Sequence, residues 1–239
     1  MHGLANPARF LRIARWLTPA LLLSGLVLVG GSMVWGLTGL PAERLQGETV
    51  RIVLIHVPTA WLGMAGWSAI AVASLTELVW RHPLAAIAAR ASAVPGAVFA
   101  ALCLATGSIW GRPAWGTWWV WDGRLTSMLV LLFLYLAYMA LAGAVDREGG
   151  SSRIAAIFGL VGAINIPIIH YSVIWWNSLH QAPSLSMGSS AMAAEFLVPL
   201  AASTLGFSLV FGGVVLARMR AILAEVQAEA RLRRKALEA

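Results

Sequence analysis

Residues 110–124, WGRPAWGTWWVWDGR, separate two long apolar runs and hold five of the chain's twelve tryptophans. These five are Trp110, Trp115, Trp118, Trp119 and Trp121. Gly111, Pro113 and Gly116 disfavour a continuous helix, so we expect the preceding apolar helix to end where this stretch begins. A short helix is compatible with the sequence from Ala114 onward, and one of its faces would carry Trp115, Trp118, Trp119 and Asp122. The stretch therefore predicts a broad indole surface at the ends of two apolar helices.

Two interpretations of this indole surface remain open. Tryptophan favours the membrane interface, so the cluster can be part of an aromatic belt. A belt distributes its tryptophans over several helix ends, whereas these are gathered with glycine and proline in one connection. We therefore favour a binding platform for a large, flat, apolar ligand.

The composition is that of a membrane protein. Of the 239 residues, 59% are hydrophobic and 11% are charged, whereas a soluble domain has about 25% charged residues. The net charge of +7 comes from basic residues in the gaps between apolar runs, which indicates membrane topology and argues against a nucleic-acid partner. The single cysteine, Cys103, lies in an apolar run, so the chain has no intrachain disulfide and no CxxC motif.

Six apolar runs approach the length of about 20 residues that is needed to cross a bilayer. They cover residues 17–40, 50–80, 91–109, 125–145, 154–174 and 191–217. We predict an all-α integral membrane protein with one six-helix membrane domain, residues 1–217, and a basic helical tail, residues 218–239. The first run is too long for a secretory signal and lacks a clear cleavage site, so we expect it to be retained.

The distribution of Lys and Arg predicts how the helices cross the membrane. Thirteen of these residues fall on one side, namely Arg9, Arg12, Arg15, Arg81, Arg90, Arg147, Arg153, Arg218, Arg220, Arg231, Arg233, Arg234 and Lys235. The other side has four, namely Arg44, Arg51, Arg112 and Arg124. Because the side rich in Lys and Arg faces the cytoplasm, both termini are predicted to be cytoplasmic. The tryptophan-rich loop, about residues 110–124, is then periplasmic, between the third and fourth helices.

Three histidines lie at or near the predicted outer face, namely His56, His170 and His180. His56, near the start of the second helix, is either bonded to a neighbouring carbonyl or a ligand, and its place in the membrane favours a ligand. His180 follows the fifth helix and can reach over the tryptophans, whereas His170 is expected inside that helix. We therefore prefer His180 to His170 as a second ligand and expect His170 to be a packing residue.

Two imidazoles from separate segments, above an indole surface, suggest a planar metal macrocycle such as haem. The porphyrin needs aromatic contacts, its iron takes axial histidines, and its propionates pair with arginine. The candidates for the propionates are Arg124 and Arg112, followed by Arg51 and Arg44. Two axial histidines leave no open position for oxygen chemistry, which favours holding and transferring haem. A zinc site has weaker support, because neither HExxH nor CxxC occurs.

Asp122 also has two interpretations. It can cap the start of the fourth helix, where free amide groups and the positive helix end attract a carboxylate, or it can contact the ligand. The sequence contains no P-loop, GxSxG or HExxH motif, so we predict no ATPase or hydrolase activity in this chain.

At these positions the sequence resembles a known family. Residues 110–122, continued by Arg124-Leu125-Thr126, resemble the tryptophan-rich WWD signature of haem-handling membrane proteins. The segments HVPTAW, residues 56–61, and WWNSLHQ, residues 175–181, are similar to the histidine segments of the short six-span branch, the haem exporter protein C family. The similarity covers essentially the whole chain.

The resemblance implies a non-enzymatic, multi-pass protein of the bacterial inner membrane that binds haem b at the periplasmic face during maturation of c-type cytochromes. It implies axial ligation by His56 and His180, and a haem platform made of Trp110, Gly111, Pro113, Trp115, Gly116, Trp118, Trp119, Trp121, Asp122 and Arg124. The implied partners are a periplasmic haem chaperone that receives the haem, the ATPase and membrane subunits of an ABC transporter, a small single-span subunit and membrane lipid.

Two other functions remain open. The chain can be a structural membrane subunit of the transporter, with its tryptophans as a lipid belt, or a haem lyase acting on apocytochrome. The WWD relatives that act as lyases have many more spans, which argues against the second for a chain of 239 residues.

Overall fold

The computed structural model describes residues 6–147, 152–176, 178–180, 185–186, 189–190 and 192–238. Its helices are α1 Pro7–Thr38, α2 Val53–Trp80, α3 Ala85–Trp115, α4 Gly123–Arg147, α5 Arg153–Gly162, α6 Asn165–Trp175 and α7 Ala194–Glu238. A short 3-10 helix, Glu48–Ile52, precedes α2, and β1 Leu185–Ser186 pairs with β2 Ser189–Ser190 before α7. Within these ranges, six helical segments are long and apolar enough to cross a membrane, with α5 and α6 sharing one span. The predicted six-span, all-α fold is confirmed.

The first and last helices extend about ten residues or more beyond the predicted apolar runs, toward the chain termini. The first helix begins at Pro7, because the Asn6 side chain accepts hydrogen bonds from the Ala8 and Arg9 amides at 2.9 and 3.3 Å. The last helix, α7, is continuous from Ala194 to Glu238. The basic tail is therefore an extension of the last membrane helix, and the division of the chain at residue 217 stays a prediction.

The third helix ends later than predicted. Gly111 and Pro113 lie inside α3, which continues to Trp115. Pro113 falls in the last turn, where its missing N–H removes only one of the final helical bonds. The helix ends at Gly116, whose φ of 78° is the left-handed conformation that favours glycine and whose N–H donates to the Arg112 carbonyl at 3.0 Å.

The short helix predicted from Ala114 onward does not form. Residues 116–122 have no helical turns, so Trp118, Trp119 and Asp122 do not share a helical face with Trp115. The cause is again Gly116, because its left-handed backbone redirects the chain at the point where the short helix was expected to continue.

Prolines in α2 and α3 create the contacts that fix α7. Pro58 has no N–H to donate, and the Leu54 carbonyl that it leaves free accepts a hydrogen bond from Ser203 Oγ at 2.5 Å. Arg218 Nε donates at 3.2 Å to the carbonyl four residues before Pro95. Unpaired backbone groups are costly within a membrane, so both bonds stabilise α7 against its neighbours.

The core lies where α2 meets α3, α4 and α5. Trp67 is fully buried there, and its Nε1 donates to the Gly159 carbonyl at 3.1 Å. That carbonyl is free because the Ala163 amide donates to Leu160 instead, at 3.1 Å, where the chain breaks between α5 and α6. Tyr135 Oη donates to a backbone carbonyl of α2 at 2.7 Å. These bonds hold α2 in register against α4 and α5, and α2 carries His56.

Candidate functional site

The predicted site residues meet at one end of the bundle, where α2 and α4 begin and α3 and α6 end. His56 lies in the first turn of α2, the tryptophan-rich connection joins α3 to α4, and His180 follows α6. The Arg124 guanidinium lies near both rings, because its positive charge acts on His56 and on His180. The tertiary structure therefore brings the two preferred histidines to the same end of the bundle from segments that are far apart in sequence.

His56 is held against one face of α3. Its Nδ1 lies 3.0 Å from Thr106 Oγ1, and its ring meets the Trp110 ring edge-on at a centroid distance of 5.5 Å. Gly107 makes this approach possible, because a Cβ at that position would lie 2.9 Å from His56 Cε1. The Thr106 hydroxyl on the neighbouring helix is thus the nearest partner of His56 Nδ1, and the Cys103 carbonyl also acts on the ring as a hydrogen-bond acceptor. The ring therefore has protein partners, and its role as a ligand stays a prediction.

Asp122 caps α4 and also reaches the segment that carries His180. Its Oδ1 accepts the Leu125 N–H at 2.8 Å, which is the geometry of a helix N-cap. Its Oδ2 accepts the Ser178 hydroxyl at 2.5 Å and lies 3.5 Å from His180 Nδ1. Burial raises the pKa of Asp122, but the hydrogen bonds from Ser178 and Leu125 and the nearby His180 lower it by more. The net pKa is below the ordinary value, so the carboxylate is ionised.

His180 lies between this carboxylate and the end of α3. Its ring meets Trp115 edge-on at a centroid distance of 4.8 Å, and its backbone N–H donates to Ser178 Oγ at 3.1 Å. Burial lowers the pKa of His180 below the ordinary value; Asp122 opposes this shift, and Arg124 adds to it. The ring is therefore neutral at neutral pH, and because Nδ1 lies 3.5 Å from the Asp122 carboxylate, Nε2 is the nitrogen left for a metal.

The tryptophans of the loop are oriented at different angles. The Trp119 and Trp121 rings meet edge-on, 5.4 Å apart and inclined at 78°. Trp118 and Trp121 are exposed, at 58% and 75% of their surface. Ser108 Oγ holds the loop by donating to the Trp118 carbonyl at 2.6 Å. The indoles therefore line an irregular rim and do not form the single flat surface expected from the helical register.

The arginines proposed for the propionates have different surroundings. Arg51 donates to two carbonyls at the end of α1, each at 2.9 Å, and Arg112 donates to the carbonyl that follows α3. Arg44 is exposed. Arg124 is partly buried and donates through Nη2 to the His170 carbonyl at 3.2 Å. Arg124 is the candidate that lies within the site, and the exposed His170 contributes its backbone to it.

Three buried nitrogen atoms of the site have no hydrogen-bond partner in the part of the chain that the structure describes. They are Trp119 Nε1, Arg124 Nε and His180 Nδ1, the last of which lies 3.5 Å from Asp122 Oδ2 without a hydrogen bond. Buried polar groups are normally hydrogen-bonded, so these atoms need an explanation. A ligand with carboxylate groups at the rim would satisfy the Trp119 and Arg124 donors. The described residues contain no group of three His, Cys, Asp or Glu that could hold a bare metal ion.

Two concave regions of the surface lie elsewhere and have different linings. One is at the opposite end of α2, next to Glu77, Arg90 and Ser152. The other is an apolar groove between α1 and α7, next to Leu28 and Leu205. Neither lining includes a histidine. We therefore place the functional site at the histidines, because ligating chemistry and not concavity identifies it.

Several residues of the site were not predicted from sequence, namely Gln46, Thr106, Gly107 and Ser178. Gln46 Oε1 accepts the Trp110 Nε1 hydrogen bond at 2.8 Å. Thr106 lies four residues before Trp110, on the same helical face, and this spacing is the signal that could have indicated it. In the second histidine segment, Asn177 and Gln181 lie outside the described residues.

Comparison with known proteins points in one direction. The sequence profile of a family described as Heme exporter protein C matches residues 1–234. A Heme exporter protein C of Bradyrhizobium diazoefficiens is 49% identical over 218 residues, which cover 91% of this chain and 82% of the relative. The Escherichia coli protein of that name is 44% identical over 223 residues, with 93% and 90% covered. That of Rhodobacter capsulatus is 38% identical over 236 residues, with 98% and 95% covered.

Proposed function

The chain belongs to the haem exporter protein C family, and from this premise we propose that it holds haem b at the periplasmic face and delivers it to a periplasmic haem chaperone. It is a multi-pass protein of the bacterial inner membrane, with a role in haem handling for cytochrome c maturation.

We assign axial ligation of the haem iron to His56 and His180. One observation carries this assignment, namely that the two histidines lie in separate segments at the same end of the bundle, each with Nδ1 near a side-chain oxygen. Both rings can then present Nε2, and a partner on the opposite nitrogen is the usual arrangement for a metal-binding histidine. Haem supplies the iron that accepts the two imidazoles, and the chain orients them.

The tryptophan-rich loop is the platform for the porphyrin. Trp110 and Trp115 hold the two histidine rings, so they act through the ligands. Trp118 and Trp121 expose apolar surface to the macrocycle. Gly111, Pro113 and Gly116 shape the platform at the end of α3, and Asp122 shapes it at the start of α4. Trp119 and Arg124, whose buried donors have no partner in the described part of the chain, bind the propionates.

The haem is held without a covalent bond to this chain. Cys103 is the only cysteine and is buried within α3, so no thiol is available for thioether attachment. Bound through two side chains and apolar contact, the haem can be transferred when other ligands replace the histidines. The chain then acts as a binding and delivery protein and not as an enzyme.

The family implies a haem exporter complex of the ABC type with further subunits. Within it we propose contacts with the ATPase and membrane subunits, a small single-span subunit, the haem chaperone and membrane lipid. The excess of Lys and Arg at one end supports cytoplasmic termini and a site on the periplasmic side.

The test is the absorption spectrum of the protein purified in detergent from cells that make ample haem. We expect a pigment with the bands of low-spin haem, reduced or altered by His56→Ala and by His180→Ala but retained in His170→Ala. A colourless, well-folded protein would contradict haem binding and favour the structural subunit. Loss of the pigment in His170→Ala alone would contradict the ligand assignment, and covalent haem on a supplied apocytochrome would favour the lyase.

A further inference from the structure

The hydroxyl of Thr106 has two neighbours that decide how it bonds to His56. It lies 2.7 Å from the Leu102 carbonyl and 3.2 Å from the Cys103 carbonyl, and both of these groups can only accept. It also lies 3.0 Å from His56 Nδ1. A hydroxyl has one proton, and here that proton is donated to the backbone of α3. Toward His56, Thr106 can therefore only accept.

This arrangement determines the tautomer of His56. A neutral imidazole carries one N–H, and an acceptor at Nδ1 stabilises the form in which that proton is on Nδ1. The lone pair then stays on Nε2, which is 3.8 Å from the Cβ position of Gly107 against 3.5 Å for Nδ1. The Cys103 carbonyl is a second acceptor near the ring, but only the Thr106 hydroxyl lies within 3.0 Å of Nδ1. Without that hydroxyl the form protonated on Nε2 becomes more accessible, and this form cannot bind iron through Nε2.

The orientation of the ring is limited by the same face of α3. On one side the ring is close to Gly107, where even a Cβ would lie 2.9 Å from His56 Cε1. On another side it meets the Trp110 ring at 5.5 Å. Three positions of α3 thus hold the ring in place, and Thr106 alone of them bonds to a ring nitrogen.

We propose that Thr106 is a positioning residue for haem binding, which keeps the proton of His56 on Nδ1 and so directs Nε2 to the iron. The proposal rests on the proposed function, since it assumes that His56 is an axial ligand. It adds a residue that does not touch haem and acts through the hydrogen bond to His56. Hydrogen-bond partners of this kind typically change metal affinity about 10–100-fold when they are removed.

The matched variants are Thr106→Val, which keeps the shape but removes the hydroxyl, and Thr106→Ser, which keeps the hydroxyl. We expect haem to pass from Thr106→Val to a haem-scavenging apoglobin about 10–100 times faster than from the wild type. We expect Thr106→Ser to remain within about threefold of the wild type, because it restores the acceptor. Thermal unfolding and gel filtration in detergent establish that both variants are folded.

A second measurement reads the tautomer without haem. In the haem-free protein with 15N-labelled histidine, the His56 nitrogen shifts should show a proton on Nδ1 in the wild type and in Thr106→Ser. In Thr106→Val they should move toward a mixture of tautomers. Assignment of the His56 signals comes from their loss in His56→Ala. This readout also keeps the proposal testable if Thr106→Val does not retain enough haem for kinetics.

The outcomes separate this proposal from the one on which it rests. If His56→Ala leaves the haem spectrum unchanged, both proposals are wrong. If His56→Ala changes the spectrum while Thr106→Val has wild-type haem retention and tautomer, only the role of Thr106 is wrong. Equal loss of haem in Thr106→Val and Thr106→Ser would also overturn it, because the effect would then come from packing.

Discussion

The two histidines of the site are held by different kinds of structure. His56 is part of one membrane helix and packs on another, and its Nδ1 faces a neutral hydroxyl at 3.0 Å. His180 lies in the connection that follows α6, and its Nδ1 faces an ionised carboxylate at 3.5 Å. The surroundings of His56, here called the His56 seat, are uncharged and belong to packed helices. The surroundings of His180, the His180 seat, include a charged carboxylate and belong to the connections between helices.

This difference predicts that the two imidazoles are unequal ligands. A carboxylate near the far nitrogen makes an imidazole a stronger donor than a neutral hydroxyl does, and it stabilises the more positive oxidation state of the metal. A ligand on a connection can also move more readily than one within a packed helix. We expect His180 to bind the iron more strongly than His56 does. We also expect the movement of His180 away from the iron to allow transfer of the haem. The following predictions, in order of decreasing effect on haem retention, test this contrast.

Asp122→Asn should have the largest effect. Asparagine caps a helix about as well as aspartate, so α4 should form normally while the charge at His180 is lost. We expect about 10–100-fold faster haem loss and a higher reduction potential, measured by scavenging and by redox titration. Thr106→Val is the comparison variant, and its reduction potential should shift less than that of Asp122→Asn. Equal shifts in the two variants would contradict the inequality of the ligands.

Gly107→Ala should affect the His56 seat alone. The added Cβ would lie 2.9 Å from His56 Cε1, so the ring must move. We expect about tenfold faster haem loss, equivalent to about 1.4 kcal/mol, and no further loss when His56→Ala is also present. Gly30→Ala is the control, since nothing lies within 4 Å of its Cβ. Similar haem loss in both alanine variants would show that the effect is not local to His56.

Ser178→Ala should have a moderate effect on the His180 seat. The hydroxyl donates to Asp122 at 2.5 Å and accepts the His180 N–H at 3.1 Å, so its loss frees both groups. One such hydrogen bond contributes about 1 kcal/mol, and we expect about fivefold faster haem loss. Absorption spectroscopy should show a change that disappears in the His180→Ala background. A change that persists there would place the effect of Ser178 outside the His180 seat.

Ser203→Ala should leave haem retention unchanged while reducing stability. It removes the partner of the Leu54 carbonyl that Pro58 leaves free, and a buried unpaired group costs about 1–3 kcal/mol. Thermal unfolding in detergent measures this loss, and restoring the carbonyl's helical partner with Pro58→Ala in the same chain should recover part of it. Ser208→Ala in the same helix is the control, because its hydroxyl bonds only to its own helix.

Much of the fold could be predicted from the sequence. Apolar runs of sufficient length indicate membrane helices without reference to the rest of the chain, and all six were predicted. The cap at Asp122 could also be predicted, since it depends on residues three apart. The end of α3 could not be predicted, because Pro113 and Gly116 both disfavour a helix. Which of them ends the helix depends on the hydrogen bonds that form at its last turn.

By itself, the sequence determined which segments enter the membrane and which residue types are available at their ends, because hydrophobicity and helix-breaking residues act locally. Only the tertiary structure decided that Thr106 lies behind His56, 50 residues away, and that Asp122 lies behind His180. These pairings depend on the rotation and depth of each helix relative to its neighbours. The packing of Gly107, Trp67 and the proline-freed carbonyls sets that geometry, and no periodicity along a single segment contains it.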